Sequence, residues 1–151
     1  MSSGTVISTV DNITLVTLAG FPVQVDRIAG IFQSIAEYGI NIDMISMAPT
    51  QGAFTGLSFT ISDSDLVDVL AFAAKLKEET DVKVVVSSVN HKISVYDPAM
   101  KNTPGIAAKV FSAIAGTGAD LRLITTSEVE ISLLVTEADF DTVLSAIQAA
   151  V

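Results

Sequence analysis

The sequence predicts an α+β chain of two related units, each an antiparallel four-stranded sheet with two helices on one face. Three observations carry that prediction. Half of the 151 residues are apolar and only 17% are charged, which provides enough apolar surface to offset the entropy of ordering a chain. The sequence also repeats itself. Residues 28–46 match residues 107–125, with Phe32 on Phe111, Ile35 on Ile114, Gly39 on Gly118 and Ile45 on Ile124, and the segment from Leu57 matches the one from Ile131. Two copies are too few for a stacked solenoid. Finally, strand-type and helix-type periodicities follow one another in the same order in both copies.

Each copy opens with an apolar, β-rich run, ITLVTLA at 13–19 and KISVYD at 92–97. A helix follows, with its apolar stripe on Ile28, Ile31, Phe32 and Ile35 in the first copy and on Ala107, Val110, Phe111 and Ile114 in the second. Gly39 and Gly118 end these helices, because glycine accepts the positive φ of a helix terminus. Two strands come next, at 40–47 and 54–62 and at 119–125 and 129–136. A second helix is marked by Leu66, Val69, Leu70 and Ala73, matched by Phe140, Val143, Leu144 and Ile147. Ser64, Thr136 and Glu137 stand near the starts of these helices, with acidic first turns that suit the helix dipole.

The run VKVVVSSV at 82–89 completes β-α-β-β-α-β in the first copy, the ferredoxin-like unit. The second copy ends at Val151 without its last strand, while TVISTV at 5–10 precedes the first copy. Either this leading strand completes the second sheet, or each leading strand pairs with the strand after it. Val89-Asn90-His91 leaves little room for a hairpin turn, which favours the exchange. The expected division is therefore 13–89 and 90–151, with strand 5–10 completing the second sheet, and eight strands in all.

Composition excludes several functions. Seventeen acidic and eight basic residues give a formal charge of −9, and the basic residues are scattered. Nucleic acid and anionic membrane are therefore not expected as partners. The chain has no cysteine and a single histidine, His91, so disulfides, thiolate chemistry and a Cys/His metal site are not expected, and no cofactor is implied. MSSGTVISTV lacks the basic n-region of a secretory signal, and no apolar run approaches a membrane span. The expected location is the cytoplasm.

The loop before the third helix has the chemistry of an anion site. Pro104 suits a first helical turn, where its missing N–H has no cost. Gly105 has no side chain to keep a ligand from the backbone, and the helix predicted over 105–117 offers free N–H groups and its positive dipole end to a carboxylate. Asn102 and Asp97, with the loop carbonyls, are candidates to receive an ammonium group. Thr126, Ser127 and Glu128 fall at the turn between the next two strands. The remaining notable residues read as structural: His91 as a surface or linker residue, Met44, Met47 and the phenylalanines as core, and Lys75–Glu79 as an exposed helix end. Gly116-Thr117-Gly118 reads as a helix terminus, since no Lys-Ser/Thr follows it. No arrangement of Ser, His and Asp supports a nucleophilic triad.

The strings GINIDMIS at 39–46, LSFTIS at 57–62, MKNTPGIAAKVF at 100–111 and TTSEVEISLLV at 125–135 resemble tandem ACT domains, and more narrowly the regulatory C-terminal region of bacterial aspartate kinase. The resemblance runs from about Val6 to Val151. It implies a non-catalytic, homodimeric regulator that binds a free amino acid of the aspartate family, lysine or threonine. Such a regulator acts as a part or subunit of aspartate kinase, with a separate catalytic chain as a further partner. An orphan amino-acid sensor and a purely structural dimerisation module are the alternative readings. The family's kinase motif has no counterpart here. In the first copy, Val23-Gln24-Val25-Asp26 stands where the family commonly has Asp-Lys-Pro-Gly. Position by position, the resemblance implies ligand contacts at Met100, Lys101, Asn102, Gly105, Ile106, Ala107, Thr126, Ser127 and Glu128, and at Asn41, Ile42 and Asp43 of the first copy.

Overall fold

A computed structural model describes residues 4–22, 24–49, 52 and 54–151; Val23, part of the first-copy loop, lies outside the described residues. The elements in chain order are β1 (Val6–Pro22), α1 (Val25–Glu37), β2 (Ile45–Met47), β3 (Phe54–Ser62), α2 (Leu66–Glu79), β4 (Lys83–Tyr96), α3 (Ile106–Ala115), β5 (Leu121–Thr126), β6 (Glu130–Thr136) and α4 (Glu137–Ala150). Short 3-10 turns occupy Asp63–Asp65 and Pro98–Lys101. The chain divides into two compact units. One is Asn12–Ser88; the other joins the described residues up to Asp11 with Val89–Val151.

Among the described residues, six strands replace the eight expected. The leading strand and the run at 13–19 are one strand, β1, and the runs at 82–89 and 92–97 are one strand, β4. β1 and β4 are neighbours, and each passes through both units. No turn is needed where the units divide, because the backbone absorbs the change within the strand. Asn12 (φ 57°) and Val89 (φ 60°) take the left-handed conformation there. Asparagine tolerates this readily, whereas for a β-branched residue it is an outlier with a strain of about 1–3 kcal/mol.

In the unit Asn12–Ser88, β1 pairs antiparallel with β3 from Ile13↔Ser62 to Leu18↔Leu57, then shifts register before Phe21↔Thr55. Gly20, at φ +71°, accommodates that bulge. β2 pairs with β3 at the edge, Ile45↔Phe59 to Met47↔Leu57. The strand expected over 40–47 is regular only at its end. Before it, the Met44 amide donates to the Thr60 hydroxyl at 2.9 Å, while the Asp43 amide still donates to the Thr60 carbonyl at 3.1 Å and the Thr60 amide to the Met44 carbonyl at 3.0 Å. Alternate residues of the sheet, Val16, Leu18, Leu57, Phe59 and Ile61, form one face of the core. Ile31 and Ile35 of α1 and Val69, Phe72 and Leu76 of α2 close it. Phe32 meets Phe59 edge-on at 5.9 Å. The α2 stripe is rotated from the expected one: Leu70 is 49% exposed, while Phe72 and Leu76 are buried. Met47 and Phe54, expected in the core, are also about half exposed on the sheet, while Met44 is buried.

In the second unit, β4 pairs with β6 from Asn90↔Thr136 to Tyr96↔Glu130, and β5 pairs with β6 up to Thr126↔Ile131. Ile93, Val95, Leu133 and Val135 of the sheet pack against Val110 and Ile114 of α3 and Val143 and Ile147 of α4. Ile7 joins this core from the N-terminal stretch. His91 corrects the sequence reading. It is buried in β4, its ring stacks on Phe140 at 4.6 Å, and Nδ1 lies 3.0 Å from the Asp11 carboxylate. Its Nε2 is buried with no hydrogen-bond partner among the described residues. Gly39 (φ 74°) and Gly118 (φ 70°) end α1 and α3 in the left-handed conformation that their place after an apolar stripe predicts.

Candidate functional site

The β4–β6 register sets the geometry. Because Tyr96 pairs with Glu130, the chain leaving β4 runs beside the turn that enters β6. The Asp97 amide donates to the Val129 carbonyl at 2.8 Å, and the Ser127 amide closes the turn on the Glu130 carbonyl at 2.9 Å. Asp97 then caps the 3-10 turn Pro98–Lys101, its Oδ1 accepting from the Ala99 amide at 2.9 Å. Its Oδ2 accepts from the Thr5 hydroxyl at 2.7 Å. Asp97 is therefore a buried structural carboxylate, and not the ammonium acceptor that the sequence suggests.

Two of the expected ligand segments, the loop at 100–102 and the turn at 126–128, come together here. Met100 and Lys101 end the 3-10 turn and Asn102 caps it, its amide bonded to Ala99 O at 3.2 Å. Met100 is half-buried against the core, while Lys101 and Asn102 are exposed. Lys101 Nζ reaches Glu128 Oε2 at 3.7 Å, which joins loop to turn through two exposed side chains. Thr126 and Ser127 lie beside Glu128, also exposed.

The start of α3 differs in detail from the sequence reading. Pro104 lies ahead of the helix, not in its first turn, and Gly105 is the N-cap, at φ +97° and with no side-chain cap. Residues with a β-carbon rarely hold that conformation, so the position calls for glycine for backbone reasons. A Cβ built on Gly105 meets nothing within 4 Å, so the space a side chain there would take is open. Ile106 is half-buried and Ala107 exposed. An uncapped N-terminus leaves amide hydrogens available and carries the positive end of the helix dipole.

Asn41, Ile42 and Asp43 belong to the other unit. Asn41 and Asp43 are exposed, between the buried Ile40 and Met44, and Ile42 packs partly on the core. Among the described residues, no group of three or more His, Asp or Glu is placed to hold a metal ion, and no helix is long and apolar enough to cross a membrane.

Comparison with known proteins gives this geometry a family. The ACT domain model matches residues 93–151. An aspartokinase from Bacillus sp. (strain MGA3) is 33% identical over 129 residues, 85% of this chain and 31% of that protein, so the chain spans about a third of that relative's length. The regulatory subunit of aspartate kinase from Thermus thermophilus superposes with a TM-score of 0.86 at 28% identity, over 95% of both chains. Aspartate kinase from Synechocystis superposes with a TM-score of 0.88 at 26% identity, over 95% of this chain and 26% of that one. Residues 93–151 match the ACT domain family model, and the chain over 95% of its length is similar to the regulatory subunit of aspartate kinase from Thermus thermophilus.

Proposed function

We propose that this chain is the regulatory part of an aspartate kinase, acting as a cytoplasmic homodimer that binds free lysine or threonine and passes its occupancy to a separate catalytic chain. The observation that carries the reading is the meeting of the 100–105 loop with the 126–128 turn through Lys101 and Glu128, beside the uncapped start of α3. The α-carboxylate of the effector binds at the α3 N-terminus, where amide hydrogens and the helix dipole favour an anion. Glu128, Asn102 and the loop carbonyls receive the ammonium group. Met100 offers an adaptable apolar wall to the side chain. In the homodimer, the Asn41–Asp43 segment of a second protomer closes the pocket.

Regulation follows from linkage. An effector shifts a catalytic partner only by binding one arrangement of the assembly more tightly than another. The test is reconstitution. The chain is mixed with the aspartate kinase catalytic chain from the same genome, and kinase activity is assayed with and without lysine or threonine. Inhibition that requires both this chain and the amino acid supports the reading. Activity that is indifferent to the chain contradicts it.

A further inference from the structure

The unit Asn12–Ser88 holds a second candidate site on its helix face. A cleft of about 500 Å³ opens between α1 and α2, within the range that small-molecule sites occupy. Its floor is apolar and already part of the core: Phe21, Ile31, Phe72, Leu76 and Val82 are buried and line it. Gly30 leaves the α1 wall bare, and a Cβ added there meets nothing within 4 Å.

The rim is charged in both senses. Arg27 and Lys75 line the cleft together with Asp26, Glu37 and Glu79. None of these five is in an ion pair with another described residue. Charges of opposite sign that converge on one apolar cleft without pairing are complemented by a ligand carrying both. We propose that the α1–α2 cleft binds an amphipathic zwitterion, an amino acid with an aromatic or branched apolar side chain. Its body lies on Phe21, Phe72 and Leu76, its carboxylate faces Arg27 and Lys75, and its ammonium group faces the rim carboxylates. This site shares no residue with the loop before α3 and does not depend on the reading proposed for that loop.

The experiment is a titration of the isotope-labelled full chain, followed by amide NMR, with three probes that share a benzyl body: L-phenylalanine, phenylacetate and phenethylamine. L-Phenylalanine is expected to shift the amides of Gly30, Ser34, Lys75 and Thr80 saturably. Phenylacetate and phenethylamine, each lacking one charge, bind at least about tenfold more weakly. Gly30→Leu, which fills the cleft, removes the response, and Arg27→Gln with Lys75→Gln weakens it, while Lys109→Gln, an exposed change in the other unit, leaves it unchanged. The absence of a saturable shift at these amides overturns the proposal. So does equal binding of all three probes, or a response that survives both Gly30→Leu and the Arg27/Lys75 double variant.

Discussion

Thr5 Oγ1 donates to Asp97 Oδ2 at 2.7 Å, joining residues 92 positions apart, and both side chains are buried. This bond fixes the N-terminal stretch to the segment that leads into the candidate loop. Thr5→Val keeps the shape and removes the donor. A hydrogen bond to a buried charged group is worth about 1.5–3 kcal/mol, so Thr5→Val is expected to lower the unfolding free energy by about that amount in urea denaturation. Thr5→Ser, which keeps the hydroxyl, falls well short of that loss.

Lys101 and Glu128 separate stability from recognition. Both are well exposed, and exposed pairs contribute about 0–1 kcal/mol. A double-mutant cycle with Lys101→Ala and Glu128→Ala is expected to show stability coupling below about 1 kcal/mol. If Glu128 receives the effector's ammonium group, Glu128→Gln weakens amino-acid binding about tenfold or more in calorimetry. A large stability effect with unchanged binding reverses that assignment.

Gly30 sits inside α1 with open space around its Cα. Glycine in a helix interior costs about 0.5–1 kcal/mol relative to alanine. Gly30→Ala should therefore raise the unfolding free energy by about that amount, read as a higher denaturation midpoint at unchanged slope.

His91 combines a stacked ring with a buried nitrogen that has no hydrogen-bond partner among the described residues. His91→Phe removes the unmet nitrogen and keeps the ring on Phe140, at the loss of the bond to the exposed Asp11. An unsatisfied buried group costs about 1–3 kcal/mol, so the two changes offset and stability stays within about 1 kcal/mol of the parent. His91→Ala leaves a cavity and lowers stability by about 2 kcal/mol or more. Thermal or urea melts of the two variants distinguish these outcomes.

The helices and their ends were legible in the sequence because they rest on local rules: a stripe such as Ile28, Ile31, Phe32 and Ile35, then a glycine able to take positive φ. What resisted reading depends on partners distant in sequence. No local signal shows that Asn12 and Val89 carry the strands onward through a left-handed residue. The burial of Phe72 and exposure of Leu70 follow from how α2 settles on the sheet, and a stripe of apolar residues tolerates either rotation. Met47 and Phe54 are apolar but stand exposed on the sheet, which composition cannot distinguish from core. His91 is buried because β4 continues through it against β6, and as a linker it would have been wet. In the candidate site, the loop and the turn were each visible as motifs. Their meeting depends on the Tyr96↔Glu130 register, and the loss of Asp97 to the fold depends on Thr5.

The most direct test is an amide NMR titration of the isotope-labelled chain with L-lysine and, separately, L-threonine. One of them is expected to produce saturable shifts at Ile106, Ala107, Ser127 and Glu128, and Glu128→Gln to weaken the response. If neither amino acid moves those amides at about 10 mM, where even a millimolar complex would be well populated, the loop and turn do not form an effector site and the proposed function is contradicted.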